Sequence, residues 1–160
     1  MPSMVDEALL LAIASIAAVI AGFTAVTAAL TPPGGSWSPI HRLRQRAIVS
    51  TSFNVMFEAL LAVIAFAWFA DVRQALVVSS ALVAVYAAWI VVMRGRQLYR
   101  AGGLRTWSSR LLFVPGIVAL LLFATNALVL GSVAVYALAL CVQLSVAAIA
   151  FYQLVAAASG

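Results

Sequence analysis

Residues 47–69 read AIVSTSFNVMFEALLAVIAFAWF, an apolar run with a single charged side chain, Glu58, at its middle. About 20 apolar residues are needed to cross the hydrocarbon core of a bilayer, so this run is long enough to span it as a helix. Arg46 stands at one end and Asp71 just beyond the other. At a rise of about 1.5 Å per residue, Glu58 lies about 18 Å from Arg46 and about 20 Å from Asp71. That is midplane depth, where an ionised carboxylate costs about 3 kcal/mol or more unless it is paired or hydrated. The run therefore implies a membrane protein and marks one residue within it that needs an explanation.

The rest of the chain extends this reading. Of its 160 residues, 66% are hydrophobic and 8% charged, with a mean hydropathy of +1.17. Soluble domains carry about 25% charged residues, so a soluble domain is excluded. Four further stretches are long enough to span: 8–30, 74–93, 111–130 and 133–156. The expected fold class is an all-α integral membrane protein, a five-helix transmembrane bundle forming a single transmembrane domain over 1–160. Only Gly131 and Ser132 separate the last two stretches, which predicts a tight hairpin; a re-entrant segment there would leave four spans, but the lengths favour five.

Local signals agree with these boundaries. Thr31-Pro32-Pro33-Gly34-Gly35 stops the first helix, because Pro lacks a backbone donor and Gly admits unusual dihedrals. Ser38-Pro39 restarts the chain as N-cap and first helical residue. Ala101-Gly102-Gly103 ends the third helix, Ser108 or Ser109 is expected to cap the fourth, and Val114-Pro115-Gly116 predicts a kink within it. The first stretch opens with Asp6 and Glu7 rather than positive charge and runs longer than a signal-peptide core, so it reads as a retained helix.

All nine basic residues are Arg. Arg42, Arg44 and Arg46 follow the first stretch, and Arg94, Arg96, Arg100, Arg105 and Arg110 follow the third; only Arg73 falls on the other side. Positive residues are retained in the cytoplasm, so this asymmetry predicts an external N-terminus and a cytoplasmic C-terminus in a bacterial inner membrane. Trp37, Trp107 and Tyr152 fit the inner interface, and Trp68 and Tyr136 the outer one. In this setting the charge of +5 points to anionic headgroups on the cytoplasmic side, bound by Arg42, Arg44, Arg46, Arg94, Arg96 and Arg100, and not to nucleic acid.

Polar residues sort by depth. Gln143 lies about 16 Å in from Ser132, level with Glu58. Asn54 precedes Glu58 by one turn on the same face. Asn54 lies about 12 Å from Arg46 and Tyr86 about 12 Å from Arg94, so those two share a layer. Thr51, Ala62 and Ala65 complete a small or polar face that should meet protein, opposite Phe53, Met56, Phe57, Leu60 and Ile64. Asn126 belongs nearer the far end and reads as interhelical glue. Two readings of Glu58 stay open. A protonated carboxyl bonded to Asn54, Gln143 or Tyr86 would tie helices together; one lining a hydrated path would be a proton or cation site, supported by those same three residues.

Ala14, Ala18 and Gly22 form a small-xxx-small ladder for close helix packing, inside one protomer or between subunits. A second narrow stripe runs through Ala137, Cys141, Ser145 and Ala148. Five helices enclose no wide pore, so conduction would call for a homo-oligomer with Glu58 or the first helix facing its axis; a larger membrane complex is the alternative. The lone His41 and lone Cys141 leave no metal or haem ligand set, and no P-loop or dinucleotide motif occurs. The expectation is a non-enzyme without cofactors: an oligomeric channel or proton-coupled transport protein, or else an accessory subunit.

Overall fold

The computed structural model describes residues 3–29, 39–100 and 107–158, with side chains described for 3–26, 45–93, 95–96 and 114–152. The breaks expected at Thr31 to Gly35 and Ala101 to Gly103, the cap at Ser38, and the side chains of Arg42, Arg44, Arg94 and Arg100 lie outside the described residues. Within them the fold is entirely helical: α1 (Met4–Ala29), α2 (Pro39–Trp68), α3 (Val72–Arg100), α4 (Trp107–Thr125), a π-helical turn (Asn126–Leu130) and α5 (Val133–Ala158). In hydrocarbon every backbone N–H and C=O must find its partner inside the segment, and continuous helices meet that demand. Four helices, α1, α2, α3 and α5, are long and apolar enough to cross a membrane. The described apolar part of the fourth runs Val114–Leu130.

Helix ends carry their own chemistry. Ser3 Oγ accepts the Asp6 N–H at 3.2 Å while the Ser3 N–H donates to Asp6 Oδ2 at 3.1 Å, a reciprocal cap on α1. Asp71 caps α3, its Oδ1 accepting the Arg73 N–H at 3.0 Å. Pro39 opens α2, where its missing N–H has no intrahelical duty. The start of α4 departs from expectation. It includes Trp107, so Ser108 and Ser109 lie within the first turn rather than at its N-cap.

The helices form a closed ring in the order α1, α2, α3, α4, α5, with α2 and α5 also in contact across the middle. α2 and α5 are thus the central pair, flanked by α1 on one side and by α3 with α4 on the other. Leu10, Ile13, Ala14 and Ala17 of α1 join Val55, Ala59 and Ala62 of α2 in one core cluster, to which α5 adds Tyr136, Ala137, Ala139 and Leu140. A second cluster of Ile48, Ala147 and Ala150 lies toward the end bearing Arg46 and Arg96, called here the arginine end. Phe23 and Phe151 meet edge-to-face nearby, ring centroids 5.9 Å apart. The opposite, hairpin end carries the turns at 69–71 and 131–132.

Phe53, Phe57 and Ile64 of α2 face outward, whereas Thr51, Glu58, Ala62 and Ala65 are buried. α1 divides differently: Ala14 is buried, but Ala18 and Gly22 are exposed, and a Cβ at Gly22 would meet nothing within 4 Å. The ladder therefore leaves the intramolecular contact after its first rung, because α1 turns its 10-13-14-17-21-24 face to α2 and α5. On α5, Ala137 is buried while Cys141 and Ala148 are exposed.

The hairpin between α4 and α5 depends on one residue's dihedrals. Gly131 has φ 56° and ψ 40°, the left-handed region. A Cβ there would also stand 2.5 Å from Arg73 Cγ. Gly131→Ala is expected to lower stability by about 1–2 kcal/mol from the left-handed conformation alone, with the displaced Arg73 adding to it. Thermal unfolding of the purified variant measures this, and an unchanged midpoint would contradict it.

Candidate functional site

Glu58 lies where α2 meets α5 and is 5% exposed. Two residues of α5 grip it. Gln143 Nε2 donates to Glu58 Oε1 at 3.2 Å, and the Tyr136 hydroxyl donates to the Glu58 backbone carbonyl at 2.7 Å. Tyr136 and Gln143 are seven residues apart on α5, two helical turns, and so project from one face. Antiparallel packing of α5 on α2 then presents both to the same stretch of α2.

The second oxygen of the carboxyl, Oε2, is buried with no hydrogen-bond partner, and so is Gln143 Oε1. Thr51 Oγ1, Ser52 Oγ and Ser79 Oγ are buried without partners as well. A buried polar atom left unsatisfied costs about 1–3 kcal/mol. Five such atoms set this interior apart from a plain apolar seam.

Asn54 and Tyr86 form a second layer toward the arginine end. The Tyr86 hydroxyl donates to Asn54 Oδ1 at 3.2 Å, joining α3 to α2. Tyr86 is 42% exposed and stacks on Trp89, with centroids 6.2 Å apart, so this layer opens onto the outer surface of the bundle. The four polar residues expected at the site thus form two hydrogen-bonded pairs, Glu58 with Gln143 and Asn54 with Tyr86. Glu58 and Asn54 are linked through one turn of α2, each side chain bonded to a different helix.

Glu58 points into the protomer rather than to the outer surface of the bundle. Tyr136 also departs from the sequence reading. It is fully buried, packed edge-to-face on Phe123 at 5.2 Å, and not an interfacial aromatic. Its position near the start of α5 suggested the interface; its seven-residue spacing from Gln143 was the signal that it shares the inward face.

Asn126 belongs to a separate, structural set. Its Nδ2 donates to Ser80 Oγ at 2.9 Å, its Oδ1 accepts the Ser132 N–H at 2.8 Å, and its backbone carbonyl accepts the Gly131 N–H at 2.8 Å. Arg73 Nη2 donates to the Val129 carbonyl at 3.2 Å beside it. Of the six headgroup arginines, the described side chains of Arg46 and Arg96 are both exposed. Among the described residues no group of three or more His, Cys, Asp or Glu side chains could hold a metal ion. Comparison of the chain with known protein families, curated proteins and solved structures finds no match.

Proposed function

We propose that this chain is a small multi-pass protein of a bacterial inner membrane, N-terminus outside, in which Glu58 exchanges a proton or cation during transport. The observation that carries this reading is the buried carboxyl of Glu58, whose second oxygen, like the amide oxygen of its partner Gln143, has no hydrogen-bond partner. Carboxyl groups at this depth are expensive to keep, and they mark ion pathways and proton relays in membrane proteins. Tyr136 holds the α2 backbone at Glu58, Gln143 orients the carboxyl, and Asn54 with Tyr86 extends the polar groups toward the arginine end. The buried position of Glu58 favours exchange within one protomer over a pore along an oligomer axis. Arg46, Arg96 and the other arginines of the two linkers anchor that end among anionic headgroups, at about 1 kcal/mol per basic residue near the surface.

The test is flux into liposomes containing the purified protein, followed with a pH-sensitive dye at several external cation compositions. Glu58→Gln is expected to reduce flux at least tenfold while the protein still folds and inserts. Equal flux in the variant removes Glu58 from the pathway.

A second reading, the accessory subunit, draws on α1. Ala18 and Gly22 are exposed, and small residues permit close helix approach. On that reading the chain co-purifies with a larger membrane protein after gentle solubilisation, and Gly22→Leu releases it. Homo-oligomerisation through the same face would instead appear as a single closed species of one chain.

A further inference from the structure

Glu58 and Gln143 meet side by side: the amide N–H of Gln143 donates to one carboxyl oxygen, and the two remaining oxygens, one from each residue, are buried and unpartnered. Two buried acceptors left over on one hydrogen-bonded acid and amide are one hydrogen short of a complete pairing. A protonated carboxyl supplies that hydrogen. We infer that Glu58 and Gln143 form a closed acid–amide ring holding a single proton, in which the carboxyl O–H donates to Gln143 Oε1 while Gln143 Nε2 donates to Glu58 Oε1. The inference rests on the reading of Glu58 as the exchange site only for its consequence, that the species exchanged is H+ and not a metal cation.

The donor set supports the proton. Every polar atom of the pair is then used once as donor or acceptor, as buried polar groups require. A metal ion asks for more: Ca2+ and Mg2+ take about six or more oxygen ligands. Among the described residues no group of three or more His, Cys, Asp or Glu side chains could supply them. The Tyr136 hydroxyl is engaged with the α2 backbone. Thr51 Oγ1 stands seven residues, about 10 Å, along α2.

On α5 the other titratable group facing Glu58 is Tyr136, and on α3 it is Tyr86, reached through Asn54. The described part of α1 carries ionisable side chains only at its start, Asp6 and Glu7; α3 has Arg73 and Arg96 toward its ends; and the described side chains of α4 include none. Among the described residues, no basic side chain is therefore available at this level to hold the carboxyl ionised. Loading adds a proton to Oε2 from water, and release breaks the O–H bond and returns the proton to water, opening the ring while the amide N–H bond persists.

Glu58→Gln has a specific place in this scheme. A glutamine offers one donor and one acceptor to Gln143, as a protonated glutamate does, so an amide–amide ring replaces the acid–amide ring with nothing left to titrate. Infrared spectroscopy of the full chain in lipid at pH 7 provides the test. A protonated-carboxyl band is expected in the wild type, absent in Glu58→Gln, and shifted in Gln143→Leu, where the O–H loses its acceptor. Gln143→Met, of similar length and without a strong acceptor, serves if Gln143→Leu does not fold. A carboxylate signature for Glu58, or a protonated band that Gln143 replacement leaves in place, overturns the ring. Flux read in the same liposomes separates the two ideas. Flux that depends on Glu58 and on a metal cation, without the band, defeats the ring and keeps the exchange site. A band that responds to Gln143 in a protein without flux keeps the ring and removes the transport role.

Discussion

Gln143→Leu is expected to lower the stability of the bundle by up to about 3 kcal/mol, while the double replacement Glu58→Leu with Gln143→Leu restores it to within about 1 kcal/mol of the wild type. The single change removes the one side-chain partner of a buried carboxyl, and a buried polar group left alone bears its full desolvation cost of about 1–3 kcal/mol. Removing both partners leaves no such group, and replacing a buried polar pair by apolar residues of similar volume is often neutral or stabilising. The two positions touch, so their effects should not add, and the double-mutant cycle reports the coupling directly. Denaturant-induced unfolding of the four proteins in one detergent measures it. A double variant weaker than Gln143→Leu alone would mean that the pair stabilises the fold in its own right.

Ala59→Leu is expected to cost about 1–3 kcal/mol, for a reason unrelated to polarity. Ala59 is fully buried and shares a cluster with Leu10, Ile13, Ala14 and Ala17 of α1. In a bilayer, helix association has no hydrophobic drive from water, so close approach of small residues and dispersion supply much of the attraction. Extra methylene groups in a packed interior force backbone shifts at about this cost. The same change at Ala18, exposed on α1, should move the unfolding midpoint little in a monomer. If Ala18→Leu were the more disruptive, a neighbouring chain would have to cover it.

Depth and periodicity together made much of this site legible. Counting residues from each end of α2 and α5 sets Glu58 level with Gln143, and the same arithmetic pairs Asn54 with Tyr86 across α2 and α3; both pairs are hydrogen bonded. Rise per residue is nearly constant in helices, so depth can be read from sequence without knowing which helices touch. Rotation about the helix axis is less legible. Tyr136 was assigned by depth alone, and its inward direction follows only once α5 packs against α2. The split of the α1 ladder, Ala14 in and Ala18 with Gly22 out, likewise depends on which neighbours α1 meets. Asn126 read as glue, but its double duty, to Ser80 and to the Ser132 N–H, needs the π-helical turn, whose five-residue hydrogen bonding leaves no hydropathy signature.

Hydrogen bonds join neighbouring helices at the hairpin end and at the middle of the bundle. Among the described residues, Arg73 to Val129 and Asn126 to Ser80 tie the hairpin end, Tyr136 and Gln143 tie α5 to Glu58 at the middle, and Tyr86 ties α3 to Asn54. Toward the arginine end, Ile48, Ala147 and Ala150 pack in an apolar cluster and Phe23 meets Phe151 edge-to-face. Local opening takes the route that breaks the fewest buried contacts. The hydrogen bonds at the hairpin end and at the middle join α2, α3, the π-helical turn and α5, so reaching Glu58 from the hairpin end means breaking buried polar contacts as well as apolar ones.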